Sequence, residues 1–116
     1  MFEKAIELGR QVGQSEEYRA LRRAQDRIAA SDELRGRLDQ LRGMAEAIER
    51  RVAQGEEPTE ADAASYDQLL SQIQTDSAYQ AVVVAQAAFD KLMLKVNERI
   101  MEGMRKGGTS SIITLS

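Results

Sequence analysis

Short polar residues that start helices divide this chain at intervals. Ser15, Ser31 and Thr59 each precede a segment whose apolar residues recur three and four positions apart, and Thr75 or Asp76 precedes another. Such side chains accept a hydrogen bond from a backbone N–H group that would otherwise lack a partner. Because the chain also has one proline in 116 residues, little interrupts this pattern. The sequence therefore predicts an all-α protein of about five helices.

The predicted helices differ in length and in pattern. They cover residues 2–13, 16–30, 32–54, 60–74 and 77–106. The first has an apolar stripe formed by Phe2, Ala5, Ile6, Gly9 and Val12. The third has a heptad-like seam formed by Leu34, Leu38, Leu41, Ala45, Ile48 and Val52. Long helices with short turns predict antiparallel helical hairpins, with helices two and three in one arm and four and five in the other. We expect the seam to lie against the second arm.

Gly107-Gly108 is predicted to end the long C-terminal helix. Residues 1–106 then form a single helical domain, and residues 107–116 form a C-terminal tail. The tail carries three large aliphatic side chains, those of Ile112, Ile113 and Leu115. Since such side chains would promote aggregation if exposed, we expect them to dock on the bundle or on a sister subunit. The alternative is that they bind a partner protein, as an added strand or a plug.

One helical phrase occurs twice, as SEEYRALRRAQDRI at 15–28 and as DSAYQAVVVAQAAF at 76–89. The aligned residues are Tyr18 with Tyr79, Ala20 with Ala81, Ala24-Gln25 with Ala85-Gln86, and Ile28 with Phe89. Internal duplication and chance reuse of a common helical pattern both account for the match. The copies differ in surface, because the first carries arginines where the second carries valines and alanines.

The apolar second copy predicts self-association. A helix that is apolar on nearly every side is buried on every side, and five helices provide few partners for a 30-residue one. We expect a homo-oligomer, most simply a two-fold dimer, with Val83, Ala87 and Leu94 near the interface. The alternative is that this helix is the central helix of a monomer.

The arginines of the first copy are the candidate partner-binding residues, together with the three tail aliphatics. They are Arg19, Arg22, Arg23 and Arg27. Arginine is enriched in interfaces and binds carboxylate or phosphate through two parallel hydrogen bonds. The alternative is a solvated face in which Glu16, Asp26 and Glu33 pair with these arginines.

The composition excludes several kinds of site. The chain has no cysteine and no histidine, which excludes disulfides, cysteine-ligated clusters and a serine triad. A net charge of −3 does not favour direct nucleic-acid binding. No apolar run approaches the roughly 20 residues that cross a bilayer. We expect no catalytic, metal or cofactor-binding residues, no membrane contact and a cytoplasmic location.

The N-terminal series resembles the YlbF/YmcA family of small bacterial helical regulators. The residues that carry the resemblance are Ala5, Leu8, Gly9, Ser15, Glu17, Tyr18, Leu21 and Ala24. The Ser-Asp-Glu-Leu step at 31–34, the turn at Gln54-Gly55 and the alanine-rich last helix extend it over about residues 1–105.

The resemblance implies an oligomeric helical fold without a catalytic site. It also implies a non-enzymatic regulator or adaptor that acts through protein–protein contacts. Family members are linked to competence, sporulation and biofilm development, and to RNA-processing machinery through an endoribonuclease. Their well-known complex carries cysteine-ligated iron–sulfur clusters, for which this chain has no ligands. The alternative function is a structural or chaperone-like helical oligomer that clamps client proteins.

Overall fold

A computed structural model describes the backbone of residues 1–115 and the side chains of residues 1–109. Its five helices are α1 (Phe2–Gly13), α2 (Glu16–Ala29), α3 (Asp32–Ala53), α4 (Glu60–Gln74) and α5 (Ser77–Leu115). The described backbone contains no strand, which confirms the all-α prediction. The first four helices begin and end within one residue of the predicted bounds.

Side-chain caps fix where the helices begin. Ser15, Ser31 and Thr59 each accept a hydrogen bond from the backbone N–H three residues on, at 3.1, 3.2 and 3.0 Å. Asp76, not Thr75, caps α5, because its Oδ1 accepts from the N–H two residues on at 2.8 Å. The Thr75 hydroxyl instead donates to a carbonyl of the preceding turn at 3.0 Å. Local sequence therefore sets the positions of the breaks.

The pairing of the helices differs from the predicted arms. Helix α2 packs along α5 and α3 packs along α4, whereas α2 touches α3, and α4 touches α5, only to a small extent. The prediction of α2–α3 and α4–α5 arms is therefore wrong. The physical reason is that the apolar face of α2, with Leu21 and Ala24, is covered by Ala85 of α5 rather than by α3. The apolar face at the start of α3 packs instead on Leu69 and Ile73 of α4, the next helix in the chain.

Two small clusters form the core. The first contains Leu34, Leu69, Ile73 and Ala78, with Ile28, Leu38, Leu41, Met44 and Tyr79 packed against it. The second contains Leu21, Ala24 and Ala85, with Ala20, Ala81, Val82 and Phe89 around it. The α3 seam is buried only where it begins, since Leu34 is 1% exposed and Val52 is 57% exposed.

The molecule is long and thin, and little of it is core. Its extents are 69 × 37 × 20 Å and its radius of gyration is 21.9 Å. A compact domain of this length has a radius of gyration of about 13 Å. Much of the apolar surface on the helices therefore has no partner within the chain.

Helix α5 continues past Gly107-Gly108 to Leu115, so the predicted helix end is wrong. A glycine ends a helix readily where it adopts a positive φ, and in the described part of the chain Gly55 alone does so. The Thr109 hydroxyl donates to the Arg105 carbonyl at 2.9 Å, a contact made within a helix. The side chains of Ile112, Ile113 and Leu115 lie outside the described residues, so their docking stays a prediction.

Gly55 and Gly43 give opposite predictions for the same substitution. Gly55 has φ 80° and closes α3 while the Glu56 N–H donates to the Arg51 carbonyl at 2.9 Å. We expect Gly55→Ala to lower the free energy of unfolding by about 1 kcal/mol, because an L side chain is strained there. Gly43 lies within α3 beside open space, so Gly43→Ala should raise it by about 0.5–1 kcal/mol.

Urea unfolding of both variants at one protein concentration measures the two changes. Changes of the same sign would contradict this assignment of the α3 terminus.

Candidate protein interface

The repeated segments of the sequence pack against each other. Ala24 and Ala85, which align in the repeat, are 7% and 8% exposed and lie in the same cluster. The rings of Tyr18 and Phe89 meet on one side of them, with centroids 5.8 Å apart and planes at 54°. Small residues at the crossing allow the two helix backbones to come close. The repeat therefore marks the positions at which α2 and α5 contact each other.

The other matched pair lies at the opposite end of the crossing. Ile28, which aligns with Phe89, and Tyr79, which aligns with Tyr18, both pack on the cluster around Leu34. Each end of the α2–α5 contact thus combines a tyrosine from one copy with the large apolar residue of the other. This arrangement resembles a local two-fold relation between the copies.

A shallow groove, here called the edge groove, runs along one side of the α2–α5 pair. It is lined by Ala20, Arg23, Ala24, Arg27, Ser77, Gln80, Ala81, Val84 and Ala85. Arg27 Nη2 donates to Ser77 Oγ at 2.8 Å, which joins the end of α2 to the start of α5. The groove combines an alanine floor with two guanidinium groups at its border, features that suit the docking of a helix with acidic residues.

The structure separates the four candidate arginines. Arg23 and Arg27 border the edge groove, and Arg19 and Arg22 do not. Because a helix turns through about 100° per residue, Arg22 and Arg27 point in directions about 140° apart. Two of the four candidate arginines thus lie at the groove, and binding of a partner by any of the four stays a prediction.

The predicted pairing of these arginines with acidic residues holds in one case. Arg23 Nη2 lies 2.7 Å from Glu16 Oε1, and the Arg23 side chain remains 64% exposed. Glu33 instead pairs with Arg37 at 2.7 Å. An exposed ion pair contributes little to stability and is easily exchanged, so Arg23 remains available to a partner.

The titratable groups with shifted pKa values lie in exposed ion pairs. The hydrogen bond from Arg10 lowers the pKa of Glu7, and Glu7 in turn raises the pKa of Arg10. Hydrogen bonds from Arg99 and then Lys106 lower the pKa of Glu102. Lowered values keep both carboxylates ionised at neutral pH, unlike a general acid, whose pKa is raised. Within the described residues no group of three or more acidic side chains could hold a metal ion.

The predicted self-association residues lie on the side of α5 that faces away from α2. Val83, Ala87 and Leu94 share this face with Met101, and the four together are here called the α5 back face. All four are exposed, with Val83, Leu94 and Met101 between 51% and 59% accessible. Their spacing of four, seven and seven residues places them within a narrow arc over about 27 Å. The single chain does not cover this face, so α5 is not the fully covered central helix of a monomer.

Helix α1 carries an apolar stripe that the single chain covers only in part. Phe2 and Ile6 are 74% and 73% exposed, and Leu8 and Val12 are only partly buried. The single chain therefore leaves much of the α1 stripe exposed to solvent. Periodicity identifies an apolar face but carries no signal for which surface covers it.

The fold and these surfaces define a small, elongated, all-helical protein whose prominent features are helix faces. The family model described as "Control of competence regulator ComK, YlbF/YmcA" matches residues 1–105, and the chain belongs to this family. The resemblance drawn from the sequence is thereby confirmed, and the family's link to control of the competence regulator ComK is compatible with a regulatory role. No curated protein matches the chain. Among the described residues, no helix has the length and apolar character needed to span a membrane.

The close crossing of α2 and α5 predicts that the same substitution at Ala85 and at Ala88 changes the free energy of unfolding by different amounts. We expect Ala85→Leu to lower the free energy of unfolding by about 1–3 kcal/mol, because the added atoms push α2 and α5 apart. Ala88→Leu, at an exposed position one turn further along the same helix, should change it little. Urea unfolding measures both, and equal effects would contradict a close crossing at Ala85.

Proposed function

We propose that this protein is a non-enzymatic regulator that acts through protein–protein contacts. The observation that carries the proposal is the α5 back face, an uncovered apolar line on a helix of 39 residues. Monomeric proteins rarely expose extended apolar surface, and such surface marks sites of association. Membership of a family linked to a competence regulator supports the same conclusion. The cytoplasm, where such a regulator acts, is the location that fits it.

The proposed assembly is a homodimer in which the α5 back faces of two copies meet. Two-fold symmetry pairs a surface with itself, so an apolar line on one long helix finds an equal line on the other copy. Val83, Ala87, Leu94 and Met101 occupy four of the six seam positions along this face, and Asp90 and Asn97 occupy the other two. Met and branched side chains pack well at such a seam.

Leu94→Glu tests this assembly. We expect the thermal midpoint of the wild-type chain to rise with protein concentration, because dimer formation stabilises the folded state by mass action. A carboxylate on the α5 back face should remove most of that dependence, since its burial is costly. Circular dichroism at several concentrations measures the midpoint.

Ala88→Glu is the matched control, because residue 88 is also exposed on α5 but lies outside the back face. It should retain the concentration dependence. A wild-type midpoint that is independent of concentration would contradict the proposed assembly.

The proposed partner contact is the edge groove. Its support is the pair of guanidinium groups beside an alanine floor, which suits a helix with acidic residues on one face. The partner is a protein, with RNA-processing machinery as the option that the family resemblance suggests. The tail residues Ile112, Ile113 and Leu115 remain a second proposed contact.

The test compares the arginines that line the edge groove with arginines that do not line it. We expect the double variant Arg23→Glu with Arg27→Glu to lose at least about tenfold in affinity for a copurifying partner, because repulsion replaces attraction at the groove. The double variant Arg22→Glu with Arg42→Glu changes the net charge equally at exposed positions that do not line the groove and should retain binding. Affinity capture followed by titration of the purified partner measures both.

Equal loss in the two double variants would contradict the edge groove as the contact. The exposed apolar residues of α1 and of the last part of α5 favour a second candidate, a chaperone-like oligomer that clamps clients. That function predicts capture of many proteins by both double variants, with dependence on the tail aliphatics.

A further inference from the structure

Two polar residues interrupt the apolar line of the α5 back face. Asp90 and Asn97 occupy seam positions between the apolar ones, and both are exposed in the single chain. Gln86, one turn before Asp90, donates from Nε2 to Asp90 Oδ1 at 2.9 Å. A carboxylate that leaves water is costly unless it is hydrogen-bonded or paired. These two residues therefore constrain how a second copy can lie on this face.

A parallel arrangement of two α5 helices is unfavourable at Asp90. In a parallel pair in register, each seam position meets the same position of the other copy. The two Asp90 carboxylates would then lie at the same level of the seam. Like charges placed opposite each other at an interface repel strongly, and loss of water adds to the cost. The charge of Asp90 thus opposes parallel pairing near the middle of the back face.

An antiparallel arrangement matches all six seam positions. A two-fold axis that crosses α5 at residue 92 relates the two copies, and each seam residue then has a seam residue of the second copy opposite it. The opposed residues are Val83 with Met101, Ala87 with Asn97, and Asp90 with Leu94. A shift by one heptad in either direction leaves seam positions at the ends without a counterpart. The pattern therefore selects one antiparallel register.

This register provides Asp90 with a hydrogen-bond donor. Asn97 of the second copy lies three residues, about 4.5 Å along the axis, from the point opposite Asp90 and on the same side of the seam. Its amide N–H can donate to the carboxylate oxygen that does not accept from Gln86. The two Asp90 side chains are offset by four residues, about 6 Å along the axis. The charge is then hydrogen-bonded and no longer faces its equal.

We propose that Asp90 and Asn97 orient the homodimer, so that the two α5 helices run antiparallel with Asn97 of each copy beside Asp90 of the other. The inference rests on the proposed homodimer and adds its orientation, its register and a polar contact. A polar residue in a helix seam selects one arrangement at some cost in stability. The two residues that weaken the apolar line thus determine how it pairs.

Cysteine linkage between copies tests the orientation, because the chain contains no cysteine. Full-length Val83→Cys and Met101→Cys proteins are unfolded together, refolded and oxidised, and linked peptides are counted by mass spectrometry. Each copy carries one cysteine, so every linkage joins two copies. The two positions lie at opposite ends of the seam, about 27 Å apart along α5.

We expect linkage between positions 83 and 101 to exceed linkage between like positions by at least about tenfold, because opposed residues react at a high effective concentration. A parallel dimer would give the reverse result, since it brings like positions together and keeps unlike positions about 27 Å apart.

Asp90→Leu, introduced into both cysteine proteins, tests whether the carboxylate selects the orientation. Without it, parallel pairing no longer places two charges together, so linkage between like positions should rise by at least about tenfold. Asp67→Leu is the matched control, because it removes the same charge from an exposed position on α4 and should leave the distribution unchanged. An unchanged distribution in the Asp90→Leu proteins would contradict the role of this residue.

The remaining outcomes separate the orientation from the assembly. In samples that light scattering shows to be dimeric, a predominance of 83–83 and 101–101 linkage would overturn this inference and leave the α5 back-face dimer standing. Linkage in the proportions of random collision would overturn both the orientation and the back-face contact. A sample that is monomeric at all concentrations would also overturn both.

Discussion

The close crossing of α2 and α5 at Ala24 and Ala85 is the contact on which the rest of the molecule depends. Two alanines allow the backbones to approach, and the Tyr18–Phe89 ring contact fixes the pairing on one side. Once this pair is set, the positions of Ser31 and Asp76 determine where α3 and α4 leave it. The edge groove and the α5 back face are the remaining surfaces of the same pair. One packing contact thus positions both of these surfaces.

The crossing also limits how much the chain can bury. Alanines bring the helices together but contribute little apolar area, and the clusters around Leu34 and Leu21 are small. The long extent of the molecule follows, because α5 continues far beyond the helices that cover its first part. Because the core is small and α5 is long, apolar residues on α1 and α5 remain exposed. Contact with a partner surface is the simplest way to bury these apolar side chains.

The sequence predicted the helices far better than their arrangement. Caps such as Ser15 and Thr59 act within four residues of the chain, so their effect can be derived from local pattern alone. The pairing of α2 with α5 involves residues about 60 positions apart, and no local rule selects it over α2 with α3. The end of α5 was missed because glycine weakens a helix without ending it unless φ becomes positive. The arginine pattern marks α2 as a candidate surface, and Arg23 and Arg27 border the edge groove while Arg19 and Arg22 do not; which of them binds a partner stays a prediction. Periodicity identified the apolar stripe of α1, but the exposure of Phe2 and Ile6 depends on which surfaces meet and could not be derived from it.

In the proposed assembly, a second copy covers apolar faces that the single chain leaves exposed. The molar mass of the unmodified chain, measured by light scattering across a range of concentrations, tests this most directly. We expect a mass that approaches twice 12.9 kDa as concentration rises. A constant mass of 12.9 kDa at every concentration would contradict it.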